Sequence, residues 1–159
     1  MPEEKIKVIS ACRGRCGIDD ADLRISRRWK GRGDAVLFTR DQLEELMFNP
    51  AFMNMVREGK LYIEDMEIKK EMGVEPEDAE KPTLILLDDK TLKRFWKDMP
   101  FAQFKVETKT LTGEQIKILA EYAIAHGDEG SIDKANYLSK MSGYQILKGI
   151  ELERQSKEE

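Results

Sequence analysis

The chain has 159 residues, of which 36% are charged and 40% hydrophobic, and its formal net charge at pH 7 is −4. This length suffices for one domain or two very small ones. Apolar runs are short, as in LILL at residues 84–87, whereas a membrane-spanning helix needs ~20 apolar residues. The opening MPEEKIKVIS lacks the apolar segment of a signal peptide. The composition therefore predicts a soluble protein that is cytoplasmic during its synthesis.

Charge is distributed unevenly along the sequence. Residues 1–40 carry a net charge of +4 and residues 41–82 a net charge of −7, while residues 83–159 are close to neutral. Such polarity is typical of a protein that presents a basic face to one neighbour and an acidic face to another.

The N-terminal part has the pattern of short strands. Alternating apolar and polar residues predict strands at residues 5–10, 23–27 and 35–38. Glycine-rich and basic stretches at residues 13–17 and 30–34 predict the turns between them. We expect a small antiparallel meander or barrel with one apolar face and one basic face.

Helical signals follow directly. Thr39 and Gln42 have the spacing of a capping box, and Asn49-Pro50 combines an N-cap residue with proline at the first helical position. Residues 61–63 are predicted to return as a strand that rejoins the sheet, and Asp65 is placed to cap a further short helix.

These signals predict an α+β fold. Residues 1–73 form a β-rich module with a helical excursion, and residues 74–82 are an acidic linker with two prolines. Residues 83–155 form a helical bundle, in which 83–87 are either a last strand or an extended segment, and 156–159 are a tail. A second capping box, Thr112-x-x-Gln115, begins the clearest helix of the bundle.

Cys12 and Cys16 allow three interpretations. A zinc site needs four ligands, and His126 is the only histidine. A disulfide across the tip of a hairpin is sterically conceivable. We favour ordinary residues near a turn, and two cysteines say little about the redox compartment.

Motifs of catalysis are not found in the sequence. No phosphate-binding loop, dinucleotide fingerprint, nucleophile elbow or HExxH motif occurs. His126 beside Asp128 and Glu129 is better explained as a solvated helix end than as a general base. The acidic stretch Asp19-Asp20-Ala21-Asp22 lacks the length of a calcium loop. We therefore predict no enzymatic activity, metal or cofactor.

The basic N-terminal region is the strongest candidate for an interaction site. Arginine forks grip phosphates or carboxylates, and Trp29 either stacks on a base or packs in the β-module, which the sequence leaves open. A simply solvated basic face is the plain alternative. The residues assigned to interaction are Arg13, Arg15, Arg24, Arg27, Arg28, Trp29 and Arg32, with Lys30 among them.

A resemblance adds a biological context. A compact strand region is followed by the stretch FTRDQLEELMFNPAFMNMVREGKLYIEDMEIKKEMGVEPEDAEKP at residues 38–82 and then by a helical tail. This arrangement, over most of the chain, resembles small uncharacterised proteins of tailed phages and prophages. The resemblance implies a component of the virion or of its assembly, at the capsid, neck or tail. It assigns no role to individual residues.

Together these features predict a non-enzymatic structural or assembly protein. Its partners would be other protein subunits, including copies of itself, with the basic strands meeting the acidic block of a neighbour. The alternative is a nucleic-acid-binding module that uses the same basic face. A small inhibitor of a host enzyme is a third interpretation. No membrane or small-molecule partner is indicated.

Overall fold

The computed structural model describes residues 4–158 and confirms the α+β class. The chain divides into two compact units, one ending at Asp88 and the other beginning at Asp89. Strands occur in the first unit, and the second is helical. In the part of the chain described, no helix has both the length and the apolar character needed to cross a bilayer.

The first unit contains a three-stranded antiparallel sheet and a separate hairpin. The sheet has the order β4-β1-β5, and the hairpin pairs β2 with β3. The bounds are β1 Lys5–Ser10, β2 Cys16–Asp20, β3 Ile25–Trp29, β4 Ala35–Thr39 and β5 Leu61–Ile63. The third strand of the sheet, β5, confirms the predicted return of the chain at residues 61–63.

The predicted meander or barrel of three consecutive strands is wrong, because β1 pairs with β4 and β5, and β3 pairs with β2 in a separate hairpin. Residues 16–20 form β2, although Cys16-Gly17 was expected to lie in a turn, and β3 begins two residues later than predicted. Glycine and two aspartates are poor strand formers in isolation. Their pairing with β3 along the whole length of the hairpin overrides this preference.

A single hydrophobic cluster joins the hairpin to the sheet in this unit. Ile6 and Val8 of β1 point into it, as the alternation predicts. Trp29 of the hairpin stacks on Phe38 of the sheet with ring centroids 6.0 Å apart, and Phe38 lies 6.2 Å from Phe52. The aromatic residues thus fix where the hairpin lies.

Three short helices cover this cluster: α1 Arg40–Leu46, α2 Pro50–Arg57 and α3 Met66–Glu71. Each begins with a predicted cap. Thr39 and Gln42 complete the capping box of α1, and Asn49 and Asp65 accept hydrogen bonds at the starts of α2 and α3.

The acidic proline-containing segment belongs to the first unit. Glu75 is almost fully buried, and its carboxylate accepts hydrogen bonds from the Thr83 amide and hydroxyl and from the Leu84 amide at 2.7–3.1 Å. These hydrogen bonds, which we call the Glu75 clasp, join the two ends of the loop of residues 75–83. Residues 83–87 are an irregular segment and not a strand.

The second unit is built from α4 Asp89–Lys93, α5 Phe101–Thr108, α6 Gly113–Ala125, α7 Ile132–Ser142 and α8 Ile146–Glu158. A π-helical turn, Arg94–Asp98, follows α4, and a 3-10 turn, Gly127–Glu129, follows α6. The capping box at Thr112 is confirmed. Because α8 extends to Glu158, residues 156–158 of the predicted tail are helical, and residue 159 lies outside the described residues.

Buried polar contacts brace this unit around Trp96. Its indole N–H donates to the His126 carbonyl at 2.7 Å. The buried ammonium of Lys134 donates to the carbonyls of Phe95 and Trp96 at 2.9 Å each. The two bonds from Lys134 satisfy carbonyl groups of the π-helical turn that would otherwise be buried without a partner.

Candidate interaction surface on the β2–β3 hairpin

The register of the hairpin decides which basic side chains share a face. Gly17 pairs with Arg28, Ile18 with Arg27, and Asp19 with Ser26. Because successive side chains of a strand point to opposite faces, Gly17, Asp19 and Arg28 lie on one face and Ile18 and Arg27 on the other. We call these the outer face and the inner face.

The inner face packs on the hydrophobic cluster. Ile18, Ile25 and Trp29 are buried, and Trp29 has no exposed surface. Its indole N–H donates to the Val8 carbonyl at 2.9 Å. The structure therefore decides the question that the sequence left open: Trp29 is a packing residue and is not placed to stack on a base.

The outer face carries an open groove, which we call the basic groove. It has a volume of about 790 Å³. It is lined by the exposed residues Arg15, Gly17, Asp19, Arg28 and Lys30. It is completed by Cys16 and the buried Trp29, which pair with each other and have their side chains on the inner face. Three of the lining residues are cations and one is a carboxylate, so the groove has an excess of positive charge.

Arg28 lies across the floor of the basic groove. Its Nη1 donates to the Ile18 carbonyl at 3.2 Å and to its neighbour Arg27's carbonyl at 3.0 Å. A Cβ atom added at Gly17 would come within 2.6 Å of the Arg28 Cδ and Nη1 atoms. Glycine is therefore required at position 17 for this side chain to lie flat on the strand.

Asp19 holds the other end of the Arg28 guanidinium. Its Oδ2 accepts from Arg28 Nη2 at 2.7 Å, and its Oδ1 accepts from the Ser26 hydroxyl at 2.7 Å. The hydrogen bond from Arg28, and then that from Ser26, lower the pKa of Asp19. The carboxylate thus stays charged and offsets one of the three cations.

The remaining predicted residues do not join the groove. The guanidinium of Arg27 lies over the Phe38 ring, 5.7 Å from its centroid. Arg32 donates from Nε to the Ala11 carbonyl at 3.1 Å. Arg24 adopts a positive φ of 55° in the turn at the far end of the hairpin, and Arg13 is exposed in the loop before β2.

Sequence reasoning missed Gly17 and Asp19 as parts of this surface, and it left Lys30 out of the assigned residues. Recognising residues 16–20 as a strand paired with β3 would have found Gly17 and Asp19. Once β2 is paired with β3, Asp19 becomes the cross-strand diagonal neighbour of Arg28. These residues were missed because β2 was not predicted, and not because charged residues were overlooked.

The acidic block has exposed carboxylates of its own. Arg40 binds Glu44 and Glu71, and Lys60 binds Glu58, so part of the block is neutralised within the unit. Other acids are exposed to solvent: Asp41, Glu45, Glu64, Glu67, Glu77, Asp78 and Glu80.

Other residues considered for chemistry have structural partners. His126 stacks on Tyr122 with ring centroids 4.0 Å apart, and its Nδ1 lies 3.0 Å from the Tyr122 carbonyl oxygen. Asp20 accepts from the Asn49 side chain and the Leu23 amide at 3.0 Å each. Between residues 4 and 158, no three or more His, Cys, Asp and Glu side chains cluster as metal ligands would.

Comparison of the chain with protein families, with curated proteins and with solved structures finds no significant match. The chemistry of the basic groove therefore carries the functional argument.

Proposed function

We propose that this chain is a non-enzymatic structural or assembly protein that docks an acidic protein surface in the basic groove. The observation that carries the proposal is the arrangement of Arg15, Arg28 and Lys30 around Gly17, with Asp19 as the one carboxylate. The three cations offer positive charge and hydrogen-bond donors above the backbone of the hairpin. Such a surface suits the carboxylates of a partner.

A second copy of the chain supplies a fitting partner. The exposed acids of residues 41–82 lie on other elements than the hairpin, so the acidic surface and the basic groove are different patches. Contacts between two different patches are heterologous, and they build rings or open arrays. The resemblance of the chain to small tailed-phage proteins favours such an array in a capsid, neck or tail.

Charge reversal in the groove tests the proposal. The variant Arg15→Glu/Lys30→Glu leaves the inner face intact, because both side chains are exposed. We expect the wild type to form oligomers at low salt and the variant to stay monomeric, as measured by size-exclusion chromatography with light scattering.

The matched control is Lys90→Glu/Lys109→Glu, which changes the net charge equally at exposed positions of the second unit. The control should assemble as the wild type does. Equal molar masses of wild type and Arg15→Glu/Lys30→Glu at every salt concentration would contradict the proposal.

Nucleic-acid binding is the second candidate, favoured by the excess of cations on one exposed face. With Trp29 buried, such binding rests on phosphate contacts and not on base stacking. It predicts that the affinity for a labelled oligonucleotide falls steeply with salt and that Arg15→Glu/Lys30→Glu flattens this dependence. Affinity that does not change with salt removes this candidate.

A further inference from the structure

Two cysteine thiols stand at the base of the loop that carries Arg13 and Arg15. Cys12 precedes the loop and Cys16 begins β2. The hydroxyl of Ser10, a fully buried residue, accepts from the Cys12 amide at 3.1 Å and lies 3.4 Å from the Cys16 Sγ. One buried hydroxyl thus holds both ends of the loop together.

The two thiols are neighbours, and both are half-buried. Burial, and after it the repulsion and hydrogen bond of the adjoining Cys16, raise the pKa of Cys12 to about 11. The Cys12 thiol points towards the Lys60 carbonyl, with 3.9 Å between Sγ and oxygen. Cys16 is one of the residues that line the basic groove, and its Sγ lies beside the Ser10 hydroxyl.

We propose that Cys12 and Cys16 form a reversible intramolecular disulfide, with a low-molecular-weight disulfide as the oxidant. The product is a staple across the base of the loop of residues 13–15. Both cysteines are free thiols in the structure, so the arrangement corresponds to the reduced form.

The exchange proceeds in two steps. The Cys16 thiolate attacks one sulfur of the small disulfide, so that a mixed disulfide forms and one small thiolate leaves. The Cys12 thiol then gives up its proton and attacks Cys16 Sγ, which forms the Cys12–Cys16 bond and releases the second small thiolate. In sum, two protein thiols are oxidised and one small disulfide is reduced to two thiols.

Oxidation of the two cysteines would change how the loop positions its basic residues. Arg13 and Arg15 lie between the two cysteines, so the staple restricts the loop that carries Arg15 to the edge of the basic groove. This consequence, unlike the disulfide itself, rests on the proposed docking function. Formation of the bond is measured by thiol chemistry alone, so the two ideas fail separately.

Peptide mapping of the intact chain tests the disulfide. The protein is equilibrated with oxidised and reduced glutathione, quenched with acid, alkylated and digested with trypsin without reduction. Trypsin cleaves after Arg13 and Arg15, both inside the loop. We expect the oxidised sample to yield the peptide ending at Arg13 joined to the peptide beginning at Cys16, with a mass lower by two hydrogens.

Two variants identify the order of the steps. Cys12→Ser should accumulate glutathione on Cys16, because no thiol remains to displace it. Cys16→Ser should react much more slowly, since the remaining thiol is the one with the raised pKa. A wild type that instead keeps glutathione on both cysteines, or joins only cysteines of different molecules, would overturn the proposal.

The variant Arg15→Glu/Lys30→Glu distinguishes a failure of the disulfide proposal from a failure of the docking function. It retains both cysteines and Ser10, so it should still form the disulfide even where it fails to assemble. If the staple forms and neither wild type nor variant assembles in any redox state, the docking function is wrong while the redox pair stands.

Discussion

The two faces of the β2–β3 hairpin use neighbouring residues for opposite purposes. On the inner face, Trp29 and Ile18 are buried, and even Arg27 covers an aromatic ring. On the outer face, Arg28 and Asp19 are mostly exposed and bind each other over Gly17. Side chains alternate between the two faces along each strand. One residue therefore packs in the core, and the next residue contributes to the charge of the surface.

This difference shows that basic residues clustered in the sequence do not all lie on one surface of the fold. Five of the seven predicted interaction residues pack on the fold or lie away from the basic groove. They are Arg13, Arg24, Arg27, Trp29 and Arg32. Substitutions should therefore fall into a group that alters the free energy of unfolding and a group that alters binding. Five predictions test which contacts determine stability and which determine binding, in order of decreasing effect on stability.

The largest effect is expected for Trp29→Ala. The substitution empties a fully buried site beside Phe38 and removes the donor to the Val8 carbonyl. Substitutions of this kind cost about 3–5 kcal/mol, so we expect the free energy of unfolding to fall by that amount in urea titrations followed by circular dichroism. Trp29→Phe, which keeps a ring, should lose less. A small effect of Trp29→Ala would mean that the hairpin does not share the core.

Glu75→Gln should have the next largest effect. The amide side chain cannot accept all the hydrogen bonds that the carboxylate accepts from Thr83 and Leu84. We expect a loss of about 2 kcal/mol, the range of hydrogen bonds to a charged group, measured in urea at neutral pH. Asp19→Asn is the matched control, since its carboxylate is exposed. Equal effects of the two substitutions would contradict the contrast between clasped and exposed acids.

The Glu75 carboxylate also makes the free energy of unfolding depend on pH, and the direction of its pKa shift sets the sign. Burial acts to raise the pKa of Glu75, but hydrogen bonds from Thr83 and Leu84 and the charge of Lys69 outweigh it and lower the pKa below 4.5. A lowered pKa in the folded state contributes stability above the unfolded-state pKa that is lost as the pH falls through the folded value. Wild type and Glu75→Gln should therefore converge in stability as the solution is acidified below about pH 4.5.

Asn49→Ala should have a smaller effect. Asn49 accepts from the Phe52 amide at the start of α2 and donates to Asp20 at the hairpin turn, both at 3.0 Å. Loss of an N-cap costs about 1 kcal/mol, which urea titration resolves. Asn49→Ser keeps a capping oxygen and lacks the reach to Asp20, so it should recover most of the loss if the cap dominates. No recovery would assign the effect to the link with Asp20.

The sequence predicted those parts of the fold that depend on local chemistry. The caps at Thr39, Asn49, Asp65 and Thr112 are confirmed because each depends on hydrogen bonds within three residues. Strand β2 was missed because its residues have low strand preference and are held by pairing with β3.

The candidate site was predictable only in part for the same reason. That Arg15 and Arg28 lie together, and that Trp29 turns inward, follows from a cross-strand register that a linear pattern of charges does not contain. The Glu75 clasp was missed because composition cannot distinguish a buried acid from an exposed one in an acidic stretch.

The smallest effect on stability is expected for Arg28→Ala, and it is the sharpest test of the two faces. Arg28 and its partner Asp19 are both more than half exposed, and exposed ion pairs contribute little to stability because water and salt screen them. We expect the urea midpoint to stay within the error of the measurement. The oligomer, in contrast, should dissociate at lower salt than the wild-type oligomer, because the groove loses a cation while Asp19 keeps its charge. Asp19→Ala should shift dissociation towards higher salt, since it leaves three cations without the carboxylate. Parallel shifts of both variants, or a marked loss of stability in either, would show that the outer face acts through the fold and not through its charge.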